Sequence, residues 1–438
     1  MPELRILRKV LISALLAALA CLLSGCIVQT VDELYALPRH SDAYNELQNA
    51  IDGVMEEGVQ YAAPISGGNR QSVQLADLDG DGEEEAIVFV RRAGDAPLCA
   101  YVFDLTEDTY SCIGSIEGSG AAFDRVEYAA LDDEPGLEIL LGRQLSDQVV
   151  RAMSVYSLSG GALTERMSAN YSEYALADLD ADGRQELLLL RLDSESDTGT
   201  AELYLWQDGV LALRQQSPLS RGVQSIRRVL TGEAWRGLPA VFVESVCAQS
   251  DAVTDVFALK DGTFCNFAPQ NAALRHSGLV YTEDVDGDGL IEIPQLVTPP
   301  AAGNDAESIC IIRWQQLLPG GTLRSRHTTC HCFADGWFIL LPDAWEDALT
   351  VSRGETGYVF SRWDEQTQTA EPAFTLYAFS GSTRAKLASE DGRFTVAEKG
   401  GVTYAASLGT GRWAAELTQE RLREMFHFIQ FDWKSGER

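Results

Sequence analysis

Three stretches of this chain share the spacing Asp-x-Asp-x-Asp-Gly-x-x-Glu, and each leads at once into an apolar-rich run. The first holds Asp77, Asp79, Asp81, Gly82 and Glu85. The second holds Asp178, Asp180, Asp182, Gly183 and Glu186, and the third Asp284, Asp286, Asp288, Gly289 and Glu292. The runs behind them are residues 86–90, 187–190 and 291–297. A partial copy at 130–138 keeps Asp132, Glu134 and Glu138 but has Ala130 where the first acid belongs; its run is 139–141. A fifth copy, 226–243, has lost the acidic loop and keeps the strand 240–243. The runs are apolar at successive positions rather than alternate ones. Such strands are buried on both faces. A repeated unit of this kind buries its strand against its neighbours in the array.

A second landmark follows each loop. An aromatic or apolar strand leads into a tight turn, at Glu107-Asp108, Gly160-Gly161, Asp208-Gly209, Asp261-Gly262 and Gly320-Gly321. Asp-Gly and Gly-Gly supply the positive φ that two-residue hairpins need. The turns recur about every 50 residues, the length of one four-stranded propeller blade. The expected fold is mainly β: a β-propeller of about five four-stranded blades, followed by a small α+β domain. A flat antiparallel sandwich is the competing architecture. Beyond residue 333, strands are expected at 337–341, 356–363, 372–379, 393–398 and 402–408. A closing helix is expected over 419–431, with Thr418 as its N-cap. Near the other end, residues 41–57 carry Tyr44, Leu47, Ile51, Val54 and Met55 at helical spacing, with Gly58 as the stop.

The acidic spacing has a chemical reason. Alternate residues of a tight loop point inward, so the acids at positions 1, 3 and 5 converge, and Gly takes the bend. The backbone carbonyl at position 7 (Glu83, Arg184, Leu290) adds an oxygen, and the acid at position 9 closes the shell. Six or seven hard oxygens at about 2.4 Å suit Ca²⁺ better than Mg²⁺. The loops resemble the FG-GAP/VCBS repeats of integrin α-subunit propellers and of related bacterial secreted proteins. The resemblance covers residues 59–330. It implies that each loop links neighbouring strands of a blade and binds calcium, giving about three Ca²⁺ sites here.

The first 25 residues read as an export leader. Arg5, Arg8 and Lys9 precede an apolar stretch, 10–23, of the length of a signal core. Leu23-Ser24-Gly25-Cys26 resembles the lipobox of bacterial lipoproteins, which implies cleavage before Cys26 and lipidation of its thiol. The chain therefore divides into a leader (1–25), a lipidated tether and short helix (26–58), the β-propeller (59–332) and an α+β C-terminal domain (333–438). The expected location is the outer face of the cytoplasmic membrane, or an outer membrane where there is one. Loss of the leader removes Glu3, Arg5, Arg8 and Lys9. It leaves 64 acidic and 31 basic side chains, a net charge of −33 against −31 for the whole chain. Such a surface repels nucleic acid. Seven cysteines lie beyond Cys26 at irregular spacing, which is not a disulfide framework.

No histidine sits in a catalytic or zinc pattern. His327, Cys330, His331 and Cys332 cluster, but on a strand Cys330 and Cys332 face away from His331. There is no nucleophile elbow, P-loop or dinucleotide fingerprint. Two function classes remain: a calcium-binding, membrane-anchored module that binds an extracellular protein or glycan, and a cell-envelope enzyme acting on polysaccharide or peptidoglycan. A solute receptor would need two α/β lobes, which the repeats do not suggest. Convergent acids in a deep pocket would favour catalysis, and an exposed aromatic patch binding. Trp206, Trp235, Trp314 and Trp337 are the aromatics to place.

Overall fold

In the computed structural model the described residues are 42–106, 109–145, 151–193, 196–247, 251–268, 274–277, 280–298, 309–342, 345 and 348–429. Cys26, the leader and the Glu107-Asp108 turn lie outside them. The chain forms two units, one of residues 1–56 and 105–111, the other of 57–104 and 112–438. The first contains helix α1 (Asp42–Val54). It is shorter than the expected 41–57 and ends four residues before Gly58. No helix among the described residues is long and apolar enough to cross a membrane.

The second unit, together with the strand residues at 105–111, is built from antiparallel sheets in sequence order. The first sheet contains β1 (Gln60–Tyr61), β2 (Val73–Ala76), β3 (Glu85–Arg91), β4 (Leu98–Thr106) and β5 (Thr109–Gly118). The second is β6 (Ala122–Ala129), β7 (Glu138–Gln144), β8 (Arg151–Ser159) and β9 (Ala162–Tyr171). The third is β10 (Glu173–Ala177), β11 (Glu186–Asp193), β12 (Thr198–Gln207) and β13 (Val210–Pro218). The fourth has β14 (Val223–Trp235), β15 (Leu238–Cys247), β16 (Asp251–Lys260) and β17 (Thr263–Asn266), with β18 (Arg275–Ser277) pairing β16. The fifth has β19 (Glu292–Val297), β20 (Ile309–Leu317), β21 (Leu323–Cys332) and β22 (Trp337–Leu341). Ahead of β19, the first strand is reduced to a bridge between Glu283 and Glu292. The ladder of this sheet thus runs past residue 332, because Trp337–Leu341 pairs with Thr328–Cys332. A sixth sheet holds β23 (Leu349–Arg353), β24 (Gly357–Asp364), β25 (Thr369–Ser380), β26 (Phe394–Lys399) and β27 (Val402–Leu408).

The successive apolar positions are explained by how the sheets pack. Leu187 and Leu189 of β11 join a cluster with Leu140 and Val155 of the second sheet. Leu188 and Leu190 join a different cluster, with Val241, Val243 and Phe257 of the fourth. β7 divides likewise: Ile139 and Leu141 meet Ile87 and Phe89, while Leu140 faces the third sheet. Phe242 of β15 packs with Ile291 and Ile293, and Ile309 and Ile311 of β20 pack with Val351, Phe360 and Phe374 of the sixth sheet. Each central strand therefore serves two cores, which is why a period of two is missing from its sequence.

The turns at Gly160-Gly161, Asp208-Gly209 and Asp261-Gly262 have positive φ at both residues, as two-residue hairpins demand. The fifth differs. Only Gly321 has positive φ, and the connection spans 318–322, closed by Leu318 N–H donating to the Thr322 carbonyl. In the fourth sheet the acidic loop is replaced by Arg236-Gly237 between β14 and β15.

The expected closing helix is also shorter than its apolar spacing suggested. Thr418 caps α3 (Gln419–Met425), which follows the short α2 (Arg384–Leu387), and its hydroxyl accepts from Arg421 N–H. The chain then turns into β28 (Phe426–Phe428), which pairs with Trp337–Ile339. Phe426 fits both the helical stripe with Leu422 and Met425 and an alternating pattern with Phe428. Burial of Phe426 against Trp337 and Tyr404 selects the strand. Trp314 and Trp337 are core; Trp206 and Trp235 are half-buried, under Arg166 and Lys260 respectively.

Candidate metal loops and an arginine-lined chamber

Each complete acidic loop joins the first and second strands of its unit, and the backbone is bent at its glycines. Gly82, Gly183 and Gly289 have φ between 86° and 95°. Both carboxylate oxygens of the position-1 acid collect backbone N–H groups. Asp77 accepts from Gly80 and Gly82 at 2.7 and 3.2 Å. Asp178 accepts from Asp182 and Gly183 at 3.1 and 3.0 Å. Asp284 accepts from Gly287 and Gly289 at 2.8 and 2.9 Å. The position-9 acid reaches back to the N–H of position 2: Glu85 to Leu78 (2.6 Å), Glu186 to Leu179 (2.6 Å) and Glu292 to Val285 (3.1 Å). Glu138 keeps this bond to Leu131 (2.8 Å), so the partial copy at 130–138 preserves the loop closure without the first acid.

The structure brings together positions 1, 3 and 9. Oxygens of Asp77, Asp79 and Glu85 all lie within 4.8 Å of one another, as do those of Asp178, Asp180 and Glu186 and of Asp284, Asp286 and Glu292. That spacing matches oxygens on one shell of about 2.4 Å radius, within the range for calcium. The position-5 acids are not among these three-residue groups. Asp81, Asp182 and Asp288 each accept from the N–H of position 7, Glu83, Arg184 and Leu290, at 2.8, 2.9 and 2.9 Å. Glu292 supplies a direct test of fit. It is fully buried, and its Oε1 has no hydrogen-bond partner. A cation held by Asp284 and Asp286 would satisfy that oxygen.

The loops differ in the cations already beside them. Among the described residues no Arg, Lys or His pairs with Asp77, Asp79 or Glu85. Arg184 is paired with Asp182 and with Asp133. In the third loop His327 lies 2.6 Å from Asp286, and Arg326 lies 3.0 Å from Asp288. The other cysteine-histidine residues form no metal group. Cys330 and Cys332 enter one core, while His331 stacks on Phe338. Burial lowers the His331 pKa to about 3.

The loops also stitch the sheets together. Leu137 N–H donates to the Asp77 carbonyl, Gln185 N–H to Ala130, and Ile291 N–H to Glu233. The first contact is so close that a Cβ on Gly80 would lie 2.2 Å from Pro135. An ion held in one loop would therefore stiffen a seam between neighbouring sheets.

A second feature was not foreseen. A cavity of about 1260 Å³ lies between the first strands of the second, third and fourth sheets and the segment 65–70. Five arginines line it, Arg70, Arg125, Arg151, Arg227 and Arg228, against three acids, Asp124, Glu127 and Glu173. Arg125 lies over the Tyr174 ring at 3.5 Å and 3.1 Å from Glu127. Arg151 pairs with Glu173 at 2.7 Å and approaches Asp124 at 3.5 Å. Asp124 also accepts from the Tyr171 hydroxyl at 2.6 Å. Arg228 is buried and pairs with Glu283 at 2.6 Å. Arg70 and Arg227 are exposed, and neither has a carboxylate partner among the described residues.

No protein-family model matches the chain, and no curated protein matches it in sequence. Solved structures align with it loosely. A protein from Lactobacillus plantarum is 10% identical over 70% of this chain and 84% of its own, with a TM-score of 0.30. The exotype rhamnogalacturonan lyase YesX is 13% identical over 72% of this chain and 65% of its own, with a TM-score of 0.34. A rhamnogalacturonan lyase from Bacillus licheniformis is 12% identical over 74% of this chain and 66% of its own, with a TM-score of 0.37. The chain thus spans just under two thirds of each lyase. These are loose superpositions, and the reading of the site rests on its own residues.

Proposed function

We propose that this chain is a lipid-anchored binding module outside the cytoplasmic membrane. Its repeated sheets stand as blades of an FG-GAP/VCBS-like β-propeller, three Ca²⁺ ions clamp the blade seams, and the ligand is a protein or a glycan. One observation carries the reading: in all three complete loops the acids at positions 1, 3 and 9 converge with the spacing of a single oxygen shell. The chamber favours binding over the alternative of an envelope hydrolase or lyase. Glu127 and Glu173 each hold an arginine, and Asp124 is tied to Tyr171 with Arg151 close by. Acids engaged in this way are placed to orient groups rather than to exchange protons.

Isothermal titration of the chelated protein with calcium tests the clamp directly. The expected stoichiometry is three. Asp79→Asn, Asp180→Asn and Asp286→Asn should each remove one site and leave the others. An unchanged stoichiometry in all three variants would overturn the assignment.

The anchor has its own test. Cells expressing the full chain should incorporate labelled palmitate into it, and the protein should fractionate with membranes. Cys26→Ser should abolish the label. Equal labelling of the variant rules the lipid anchor out.

A further inference from the structure

We infer that the arginine-lined chamber binds an acidic oligosaccharide whose charge resides on carboxylates, that is, a chain of uronic acid residues. This deepens the binding-module reading and rests on it.

Charge comes first. The protein carries a formal net charge of −31, yet the chamber wall holds five arginines against three acids, or four with Glu283, the partner of Arg228. A concave wall of one excess sign focuses field and concentrates the opposite ion, even when the protein as a whole repels it. Three of the arginines are held in place. Arg125 is fixed by Glu127 and the Tyr174 ring, Arg151 by Glu173, and Arg228 by Glu283 and the Thr282 carbonyl. Arg70, which donates to the Gly67 carbonyl at 2.9 Å, and Arg227 pair with no carboxylate among the described residues and supply the surplus. Their planar forks match a carboxylate through two parallel N–H donors, which a lysine cannot do.

The neighbours narrow the ligand further. Glu127 and Glu173 retain acceptor capacity beyond their arginines, and the Asn69 and Gln185 amides line the same wall. A ligand of carboxylates alone would be repelled by those two acids. A ligand alternating carboxylates with hydroxyl donors satisfies both sets. Tyr128, packed on the core of the first two sheets, also lines the wall. The volume, about 1260 Å³, exceeds the 300–1,000 Å³ usual for drug-sized ligands, which fits an oligomer better than a single sugar. Gly67 shapes the wall: it has φ +80°, and a Cβ there would lie 2.5 Å from the Arg125 side chain.

The test is calorimetric titration of the full chain in detergent and millimolar calcium with trimannuronate. Its methyl ester, a sulfated trisaccharide and hexaglutamate serve as comparison probes. Trimannuronate should bind, more weakly at higher salt, and the methyl ester should not. Arg70→Ala and Arg227→Ala should each weaken binding roughly 10-fold or more, as expected for loss of a charge-assisted hydrogen bond. Both residues are exposed, so their melting temperatures should match the parent. Three results would each overturn the inference: no binding of trimannuronate, equal binding of its methyl ester, or equal or tighter binding of the sulfated or peptide probe. Calcium-dependent melting without trimannuronate binding would reject the chamber ligand alone. Trimannuronate binding without a calcium response would reject the clamp alone.

Discussion

Millimolar calcium is expected to raise the melting temperature of the chelated protein by roughly 5–10 °C, and EDTA to reverse the shift. The magnitude follows from mass action. An ion that binds only the folded chain stabilises it by RT ln(1 + [L]/Kd). With Kd of about 10⁻⁴–10⁻³ M, as in many extracellular modules, 10 mM calcium contributes about 1.4–2.7 kcal/mol per site, and there are three such groups. The effect reaches the fold because each loop lies on a seam: Asp77 is bonded to Leu137 and Ala130 to Gln185. pH sharpens the prediction. Burial raises Glu85 and Glu186 from the ordinary 4.5 to about 7 and Glu292 to about 8, with the neighbouring aspartates adding to the shift. Between pH about 4.5 and 7–8 the folded chain therefore holds protons that the unfolded chain has released. Stability without metal is full at the acidic end and falls as pH rises through that window. Calcium competes with those protons, so its stabilisation should be larger at pH 8 than at pH 6. Calorimetric scans at both pH values, with and without EDTA, give the comparison. Identical melting temperatures throughout would remove the clamp from the picture.

What the sequence disclosed and what it hid follow one rule. Features carried by a few consecutive residues were legible. The Asp-x-Asp-x-Asp-Gly loops, the Asp208-Gly209 and Asp261-Gly262 hairpins and the Thr418 cap all encode their geometry locally. The position-5 acids were half legible. Their presence is part of the motif, but the bond each makes to the N–H two residues on, and its place outside the groups of three, belong to the folded loop. The chamber was not legible at all. Arg70, Arg125, Arg151 and Arg228 come from different strands and segments, and no spacing along the chain connects them. The end of α3 failed for another reason. Phe426 fits a helical stripe, and only pairing with Ile339 on β22 makes it a strand.

The second large effect tests the two-sided burial of the central strands. Leu188→Ala and Leu189→Ala should each destabilise the protein by about 2–5 kcal/mol, the range for deleting a buried leucine. In a sheet with one wet face only one of two adjacent residues would cost anything. Here Leu188 and Leu189 are both buried to within 1% of complete. Leu188 packs with Val241 and Phe257, while Leu189 packs with Leu140 and Tyr204. Because they belong to separate clusters, the double variant should lose nearly the sum, about 4–10 kcal/mol. That approaches the whole 5–15 kcal/mol margin of a folded protein, so the double variant should fail to accumulate. Leu213 is the matched control, at 47% exposure on β13. Its alanine variant should stay within about 0.5 kcal/mol of the parent. Urea midpoints at saturating calcium report all four proteins. If Leu188→Ala or Leu189→Ala behaved like Leu213→Ala, the strand would have a solvated face. The stacked arrangement of sheets, and with it the seam that the metal loops are proposed to hold, would then be wrong.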